Sequence, residues 1–178
     1  MAATQRYSNF SIALHWLIAV LIIAAFILGN IMVDMRISPT KLKYFSYHKW
    51  LGVTVLAFVA VRLISRLMSK APPYPDNMGK VQTYLANGTH ILLYVLMFAV
   101  PLSGYFYTLA AGYPVVYLGL FDLPVLIAPN PEIKDSLKSL HEILNKVMFV
   151  LVLLHVAAAL KHHFYDKDGL LNRMRPGI

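Results

Sequence analysis

The chain alternates between long apolar runs and short polar connectors, and four of the runs are long enough to cross a bilayer. A spanning α-helix needs about 20 consecutive, mostly apolar residues. The runs predict helices over residues 10–33, 47–68, 84–107 and 133–164. We therefore expect an all-α membrane protein, in which residues 1–178 form a single domain built as a four-helix transmembrane bundle.

Three connectors separate the runs, at residues 34–46, 69–80 and 111–131, and the last two have a distinctive composition. Residues 69–80 contain Pro72, Pro73 and Pro75, a proline density that excludes helix and predicts a stiff loop. Residues 111–131 are rich in glycine, proline and apolar residues but are too short and broken to span. We expect them to form a lid at the membrane interface. Pro101, within the third run, predicts a local bend.

Composition narrows the possible chemistry. Hydrophobic residues make up 58% of the chain and charged residues 13%, which fits a membrane protein. Cysteine is absent, so disulfides, thiolate metal sites and covalent haem attachment are excluded. The net charge of +8 does not indicate a nucleic-acid partner, because the cations flank the apolar runs. That position predicts contact with the lipid bilayer and its anionic headgroups.

The distribution of the cations predicts the orientation. With four spans, both termini share a side with the proline-rich loop. That side carries Arg6, Arg62, Arg66, Lys70, Lys80, Lys161, Lys167, Arg173 and Arg175. The other side carries Arg36, Lys41, Lys43, Lys49, Lys134 and Lys138. Because loops rich in Lys and Arg stay inside, we expect both termini on the cytoplasmic side.

Four histidines fall into two layers when they are placed by depth. His141 and His155 lie near the two ends of the fourth run, about 21 Å apart along a helix and on roughly the same side of it. His48 opens the second run at the depth of His141. His15 lies near the start of the first run, at the depth of His155. The expected result is an outer pair, His48 with His141, and an inner pair, His15 with His155.

Paired imidazoles across a bundle suit a particular cofactor. A b-type haem needs two neutral imidazoles that face each other across its iron. Two stacked pairs would provide an electron path through the bilayer, so we expect two b haems. The haem propionates need nearby cations or a wet surface. Candidate cations are Lys49 and Lys138 for the outer haem, and Arg6, Arg62 and Lys161 for the inner haem.

Other interpretations of these histidines remain open. A single histidine at a helix end is more often an interfacial residue than a ligand, although four that pair by depth favour haem. A metal or ion carrier is a further alternative, since imidazole binds zinc, iron and copper. Such sites usually also recruit carboxylates, which are nearly absent from these spans. The absence of a b-type spectrum would favour a carrier.

Three further histidines are less certain. His162 either hydrogen-bonds a quinone and delivers protons or, with His163, forms a solvated helix end. For His90 we favour a structural role, and the role of His163 stays open.

Several motifs extend over nearly the full length. They are His15-Trp16, Val61-Arg62-Leu63 with Arg66, His90-Ile-Leu-Leu-Tyr94, Asp135-Ser-Leu-Lys-Ser-Leu-His-Glu142 and Leu154-His-Val-Ala-Ala-Ala-Leu-Lys-His-His-Phe164. With these motifs, the chain resembles the bacterial di-haem cytochrome b561 family, in particular its superoxide oxidase branch.

The resemblance implies a four-helix cytochrome of the bacterial inner membrane with two non-covalent b haems. It implies that His48 and His141 bind the outer iron and that His15 and His155 bind the inner iron. It further implies a superoxide:ubiquinone oxidoreductase, in which superoxide reduces the outer haem at the periplasmic side. Electrons then pass to the inner haem and to ubiquinone, with His162 on the quinone side. The alternative is an electron-transfer subunit that links a partner redox protein to the quinone pool.

Overall fold

Four long helices form the body of the molecule. The structure is a computed structural model, and it describes residues 6–69, 71–75 and 78–177. The helices are α1 (Asn9–Asp34), α2 (Pro39–Met68), α3 (Lys80–Ala110) and α4 (Pro131–Lys161). Each is long and apolar enough to cross a membrane. The expected fold class, an all-α membrane protein with four spanning helices, is confirmed.

The helices begin earlier than the apolar runs suggest, because capping residues rather than hydrophobic residues fix their starts. Ser38 accepts a hydrogen bond from the Lys41 backbone N–H, and Pro39 occupies the first turn. As a result α2 begins at Pro39 instead of residue 47. Asn130 accepts from two backbone N–H groups at the start of α4 in the same way.

The bundle has a thin core and an apolar exterior. Helix α1 packs against α2, α2 against α3, and α3 against α4. Two small clusters of buried residues hold these helices together; they are Ile18, Val55 and Val59, and Leu96, Val100 and Met148. Many large apolar side chains point outward instead, as they do in a protein whose solvent is lipid.

Helices α1 and α4 meet at mid-depth through an aromatic contact. The rings of Phe26 and Phe149 stack in parallel with their centroids 4.8 Å apart. Along α4, Phe149 lies between His141 and His155.

One end of the bundle, here called the termini end, gathers the N-terminus, the C-terminus and the proline-rich loop. The indole N–H of Trp16 donates to the Met174 carbonyl at 2.7 Å. The Arg6 guanidinium donates to the Arg175 carbonyl at 2.6 Å, and that of Arg173 donates to the Pro73 carbonyl. After α4 the chain makes a π-helical turn, His162–Asp166, and later a short 3-10 turn, Leu171–Met174.

The opposite end, here called the hairpin end, carries the connector from α3 to α4. The connector contains a small antiparallel hairpin, β1 (Val116–Tyr117) and β2 (Phe121–Asp122), which the apolar pattern did not predict. Leu118 and Gly119 turn the hairpin with φ values of 53° and 73°. Two positive φ values in succession are typical of the tight turns that suit the twist of a hairpin.

The hairpin is held on the first half of α2. The Trp50 indole N–H donates to the Val116 carbonyl at 2.7 Å. The hydroxyls of Thr54 and Tyr117 lie 2.9 Å apart. Val115, just before β1, is 1% exposed. The connector therefore packs as an ordered cap over this end of the bundle.

Helix α3 remains helical through Pro101. Val100, immediately before the proline, and Ser103, two residues after it, both contact the side chain of His141.

Candidate functional site

At the hairpin end, α2 and α4 bring His48 and His141 together. Their ring centroids are 6.2 Å apart and their planes are nearly perpendicular, at 88°. Both side chains are partly buried. The pairing expected from depth is thus present in space.

Hydrogen bonds fix the orientation of both imidazoles. The Nδ1 atom of His48 lies 3.0 Å from the Ala25 carbonyl oxygen on α1, and that of His141 lies 2.9 Å from the Val100 carbonyl oxygen on α3. Since a carbonyl oxygen can only accept, we infer that each Nδ1 carries the proton. In the neutral ring the other nitrogen, Nε2, then has a free lone pair. This is the arrangement in which a histidine binds a metal ion.

Ser103 adds to the support of His141. Its hydroxyl lies 3.0 Å from His141 Nδ1 and donates to the Val100 carbonyl at 2.8 Å. Because its own proton is used on the carbonyl, the Ser103 oxygen is free to accept from Nδ1–H.

Two helical glycines make room for these rings. A methyl group on Gly104 would lie 2.9 Å from Cε1 of His141, and one on Gly29 would lie 3.2 Å from Cε1 of His48. Real side-chain carbons essentially never approach as closely as the first distance. The sequence did not lead us to predict that either glycine contacts a histidine ring. A glycine inside an apolar helix is nevertheless a signal of close packing.

At the termini end, α1 and α4 bring His15 and His155 together. Their ring centroids are 6.3 Å apart with an interplanar angle of 67°. Trp16 packs edge-on against His15 at 5.4 Å. A third histidine, His90 of α3, lies with its ring centroid 5.5 Å from that of His155. This proximity was not predicted, because residues on different helices meet only through tertiary packing.

Within each of the two histidine pairs, His48–His141 and His15–His155, the distance between the rings leaves room for one metal ion. Imidazole–metal bonds of about 2.0–2.1 Å, with each ring centre about 1.1 Å further away, place two opposed rings about 6 Å apart. Both pairs match this value. The residues therefore fit bis-histidine coordination of haem iron at each end.

The termini-end pair is accompanied by a cavity and a group of cations. The cavity has a volume of about 460 Å³. Its lining includes Tyr7, Arg62, Arg66, Asn87, His90 and Tyr94. The Nε atoms of Arg6 and Arg173 are buried at this end and have no acceptor among the residues that the structure describes. Buried donors of this kind need a partner, and carboxylates such as haem propionates would supply one.

The other cations proposed for propionates have protein partners. Lys161 is bound to Asp166, with its Nζ atom 2.8 and 2.6 Å from the two carboxylate oxygens. Lys138 pairs with Glu142 at 3.7 Å on the helix surface. Lys49 approaches the Pro114 carbonyl at 3.5 Å. Arg6 and Arg62 also donate to carbonyls, those of Arg175 and Ser11, each at 2.6 Å. Neither is paired with a carboxylate in these contacts, and Arg62 lines the cavity, so both are better placed than Lys161 to bind an anionic group at the termini end.

His162 lies in the π-helical turn beyond α4, within a cluster of charges. Its Nδ1 atom is 2.6 Å from the Asp168 carboxylate and 3.1 Å from that of Asp166. The Asp168 side chain is only 4% exposed. His163 instead packs its ring against Phe164, with centroids 4.7 Å apart. The two aspartates were not predicted as part of a site, because they follow the last apolar run and approach His162 only through the π-helical turn.

Comparison with known proteins adds an independent finding. The family model described as prokaryotic cytochrome b561 matches residues 6–177. "Cytochrome b561 homolog 2" of Escherichia coli K12 is 34% identical over 96% of this chain and 91% of its own length. "Probable superoxide oxidase CybB" of Yersinia pestis is 29% identical over 97% of both chains. "Cytochrome b562" of Cereibacter sphaeroides is 28% identical over 98% of both chains.

Proposed function

Because the chain belongs to the prokaryotic cytochrome b561 family, whose members bind b haems and transfer electrons in membranes, we propose that it is a superoxide oxidase. In this proposal it oxidises superoxide at the hairpin end and reduces ubiquinone at the termini end. The observation that carries the proposal is the presence of two histidine pairs, 6.2 and 6.3 Å apart, at opposite ends of one bundle. The similarity to a protein named probable superoxide oxidase supports the choice of donor.

We assign one b haem to each pair. His48 and His141 bind the outer haem, and His15 and His155 bind the inner haem. Bound in this way, the haems supply two one-electron carriers across the membrane. The protein holds the ligands at the two depths through α4, which contributes one histidine to each pair. Arg6, Arg62 and Arg173 would bind the propionates of the inner haem.

The hairpin end receives the anion. Superoxide is small and negatively charged, and exposed cations at a surface raise the rate at which anions arrive. Lys43, Lys134 and Lys138 lie at this end. The donor needs no open position on the iron, because it gives up its electron without binding to the metal.

The termini end receives the quinone. His162 lies about two helical turns beyond His155, at the end of α4. A histidine there hydrogen-bonds a quinone oxygen and supplies protons as the quinone is reduced. The greater number of cations at this end supports a cytoplasmic location for both termini in the bacterial inner membrane.

A second candidate function is an electron-transfer subunit that takes electrons from a partner redox protein. The relative with 34% identity is named only as a cytochrome b561 homologue. In addition, the tip of the hairpin exposes Leu118, Leu120 and Phe121. A co-purifying redox protein, together with slow reduction by superoxide, would favour this function.

The first experiment is rapid mixing of the oxidised, purified protein with superoxide while haem absorption is followed, with and without a ubiquinone. A b-type spectrum before mixing, fast reduction and quinone-dependent re-oxidation are expected. Intact b haems that superoxide leaves oxidised would overturn the proposed donor. Reduced haems that quinone leaves unchanged would overturn the proposed acceptor.

The ligand assignment has its own test. His48→Ala and His141→Ala should each lose the outer haem and retain some of the inner one, whereas His15→Ala and His155→Ala should do the reverse. Haem content and the low-temperature absorption spectrum measure this. His163→Ala is the matched control, since that ring packs on Phe164 and should leave both haems in place. Retention of both haems in all four ligand variants would contradict the assignment.

A further inference from the structure

A cluster of four charged or titratable side chains lies where α4 ends. The Asp166 carboxylate is bound at 2.6 and 2.8 Å by Lys161 Nζ. The Asp168 carboxylate accepts from the Leu170 backbone N–H at 3.1 Å and contacts His162 Nδ1 at 2.6 Å. One carboxylate therefore has a lysine as its cation, while the other, which is nearly fully buried, has His162.

The geometry determines which nitrogen of His162 is available to a ligand. A carboxylate oxygen accepts, so Nδ1 carries the proton that points to Asp168. In a neutral ring Nε2 would then be bare and would be unable to donate to a quinone oxygen. Only the doubly protonated ring has a proton on Nε2 to give. Asp166 also lies 3.1 Å from the same Nδ1 atom, so both carboxylates are on the Nδ1 side of the ring.

We propose that Asp168 is a positioning residue that holds Nδ1–H of His162 and fixes the orientation of the ring, so that His162 Nε2–H is the proton donor to the quinone. This inference rests on the proposed function. Asp168 holds Nδ1–H throughout, while Nε2 gives its proton to a quinone oxygen. The ring that remains is neutral and is held by the same hydrogen bond.

A second cavity supplies the replacement proton. It has a volume of about 190 Å³ and is lined by Met78, Gln82, Asp166 and Asp168. Since a water molecule occupies about 30 Å³ in the liquid, the cavity has room for several. Water there contacts both carboxylates of the cluster and returns a proton to His162 from the side of the termini end.

The overall reaction balances. Two superoxide ions each lose one electron and become dioxygen. One ubiquinone gains these two electrons and two protons and becomes ubiquinol. His162 transfers a proton from Nε2 once for each electron and regains a proton from the cavity each time, so both protons come from the termini end and His162 is unchanged after each turnover.

The test uses purified protein with its haems bound and chemically reduced, mixed with a short-chain ubiquinone while haem re-oxidation is followed. Asp168→Asn should lower kcat for the quinone by roughly 10- to 100-fold, the range in which positioned proton donors act. The KM for quinone and the reduction of haem by superoxide should change little. Asp168→Glu should restore part of the rate. Asp135→Asn, which removes an exposed carboxylate at the hairpin end, is the control and should behave as the wild type.

A double variant separates this role from a merely structural one. His162→Gln can donate a hydrogen bond but cannot lose a proton, so it should show the same loss of kcat as Asp168→Asn. Because the two residues act as a unit, the double variant should be no slower than either single variant. Unchanged kcat in Asp168→Asn, or losses that add in the double variant, would overturn the inference. A wild-type protein that quinone does not re-oxidise would instead overturn the proposed acceptor.

Discussion

At the scale of single residues, the two histidine pairs are held by different means. Carbonyl oxygens of α1 and α3 accept from His48 and His141, so each outer ring is fixed by a backbone hydrogen bond. The inner rings of His15 and His155 are instead surrounded by the rings of Trp16 and His90. Backbone carbonyls are rigid acceptors, and we therefore expect the outer pair to tolerate less change around it.

The glycine beside His141 provides a sharp test of this expectation. Gly104→Ala places a methyl group 2.9 Å from the His141 ring. Overpacking of this kind costs about 1–3 kcal/mol, so the variant should lose outer haem and melt at a lower temperature. Haem content and thermal unfolding of the purified protein measure both effects.

The same helix offers a matched control. In the part of the chain that the structure describes, no neighbouring atom lies within 4 Å of a methyl group added at Gly88. Gly88→Ala should therefore keep both haems and gain up to about 1 kcal/mol of stability, because alanine favours a helix more than glycine does. Equal behaviour of the two variants would mean that the close approach at Gly104 has no energetic importance.

At the scale of elements, the helices and the depths of their histidines were predictable, and the connectors were not. The lengths of the apolar runs predicted four spans. The position of each histidine within its run predicted that His48 lies at the depth of His141. The hairpin, by contrast, depends on Trp50 and Thr54 reaching a segment more than sixty residues later in the chain. No local pattern encodes such a contact. The early start of α2 was missed because Lys41 and Lys43 break its apolar pattern.

The contact between α2 and the hairpin leads to a prediction about local stability. Trp50→Phe removes the N–H that donates to the Val116 carbonyl. The loss of one hydrogen bond costs about 0.5–1.5 kcal/mol, so amide exchange in the hairpin should accelerate by up to about tenfold. Hydrogen exchange with mass spectrometry, applied to residues 113–124, measures this.

The other interfacial tryptophan serves as the control. Trp16 donates to Met174 at the termini end, far from the hairpin. Trp16→Phe should leave exchange in residues 113–124 unchanged and accelerate it in the C-terminal segment. Equal acceleration at both ends in either variant would indicate general destabilisation instead of local release.

At the scale of the whole molecule, charge distinguishes the two ends. The chain has a formal net charge of +8, and most of its cations lie in the connectors, in the tail or near the ends of the helices. Those at the termini end tie the tail to the bundle, as Arg6 and Arg173 do. Those at the hairpin end include exposed side chains such as Lys43. The first group stabilises the packing of the termini end, and we propose that the second group creates an electrostatic field that attracts an approaching anion.

This field predicts a salt-dependent rate. Lys43→Glu should slow haem reduction by superoxide at low ionic strength. The difference from the wild type should shrink near 0.15 M salt, where charges separated by more than about 8 Å are largely screened. Lys80→Glu, at the opposite end, should not slow this step. A rate that does not depend on salt in any variant would contradict electrostatic attraction of the donor.

Orientation is open to a direct measurement. A reporter that fluoresces only in the cytoplasm, fused to the C-terminus, should be bright because both termini are expected inside. The same reporter inserted between Leu118 and Gly119 should be dark. The reverse result would place the hairpin in the cytoplasm and would exclude a periplasmic donor.

The division of ligands among the helices also constrains how the protein is made. Each pair takes one histidine from α4 and the other from an earlier helix. A ribosome that has released only α1, α2 and α3 has therefore produced half of each site and neither site complete. On the ligand assignment proposed above, both haems must be acquired after the last helix enters the membrane. A nascent chain that stops before α4 should bind neither haem stably, so early termination would yield an empty membrane fragment instead of a protein with one active redox centre.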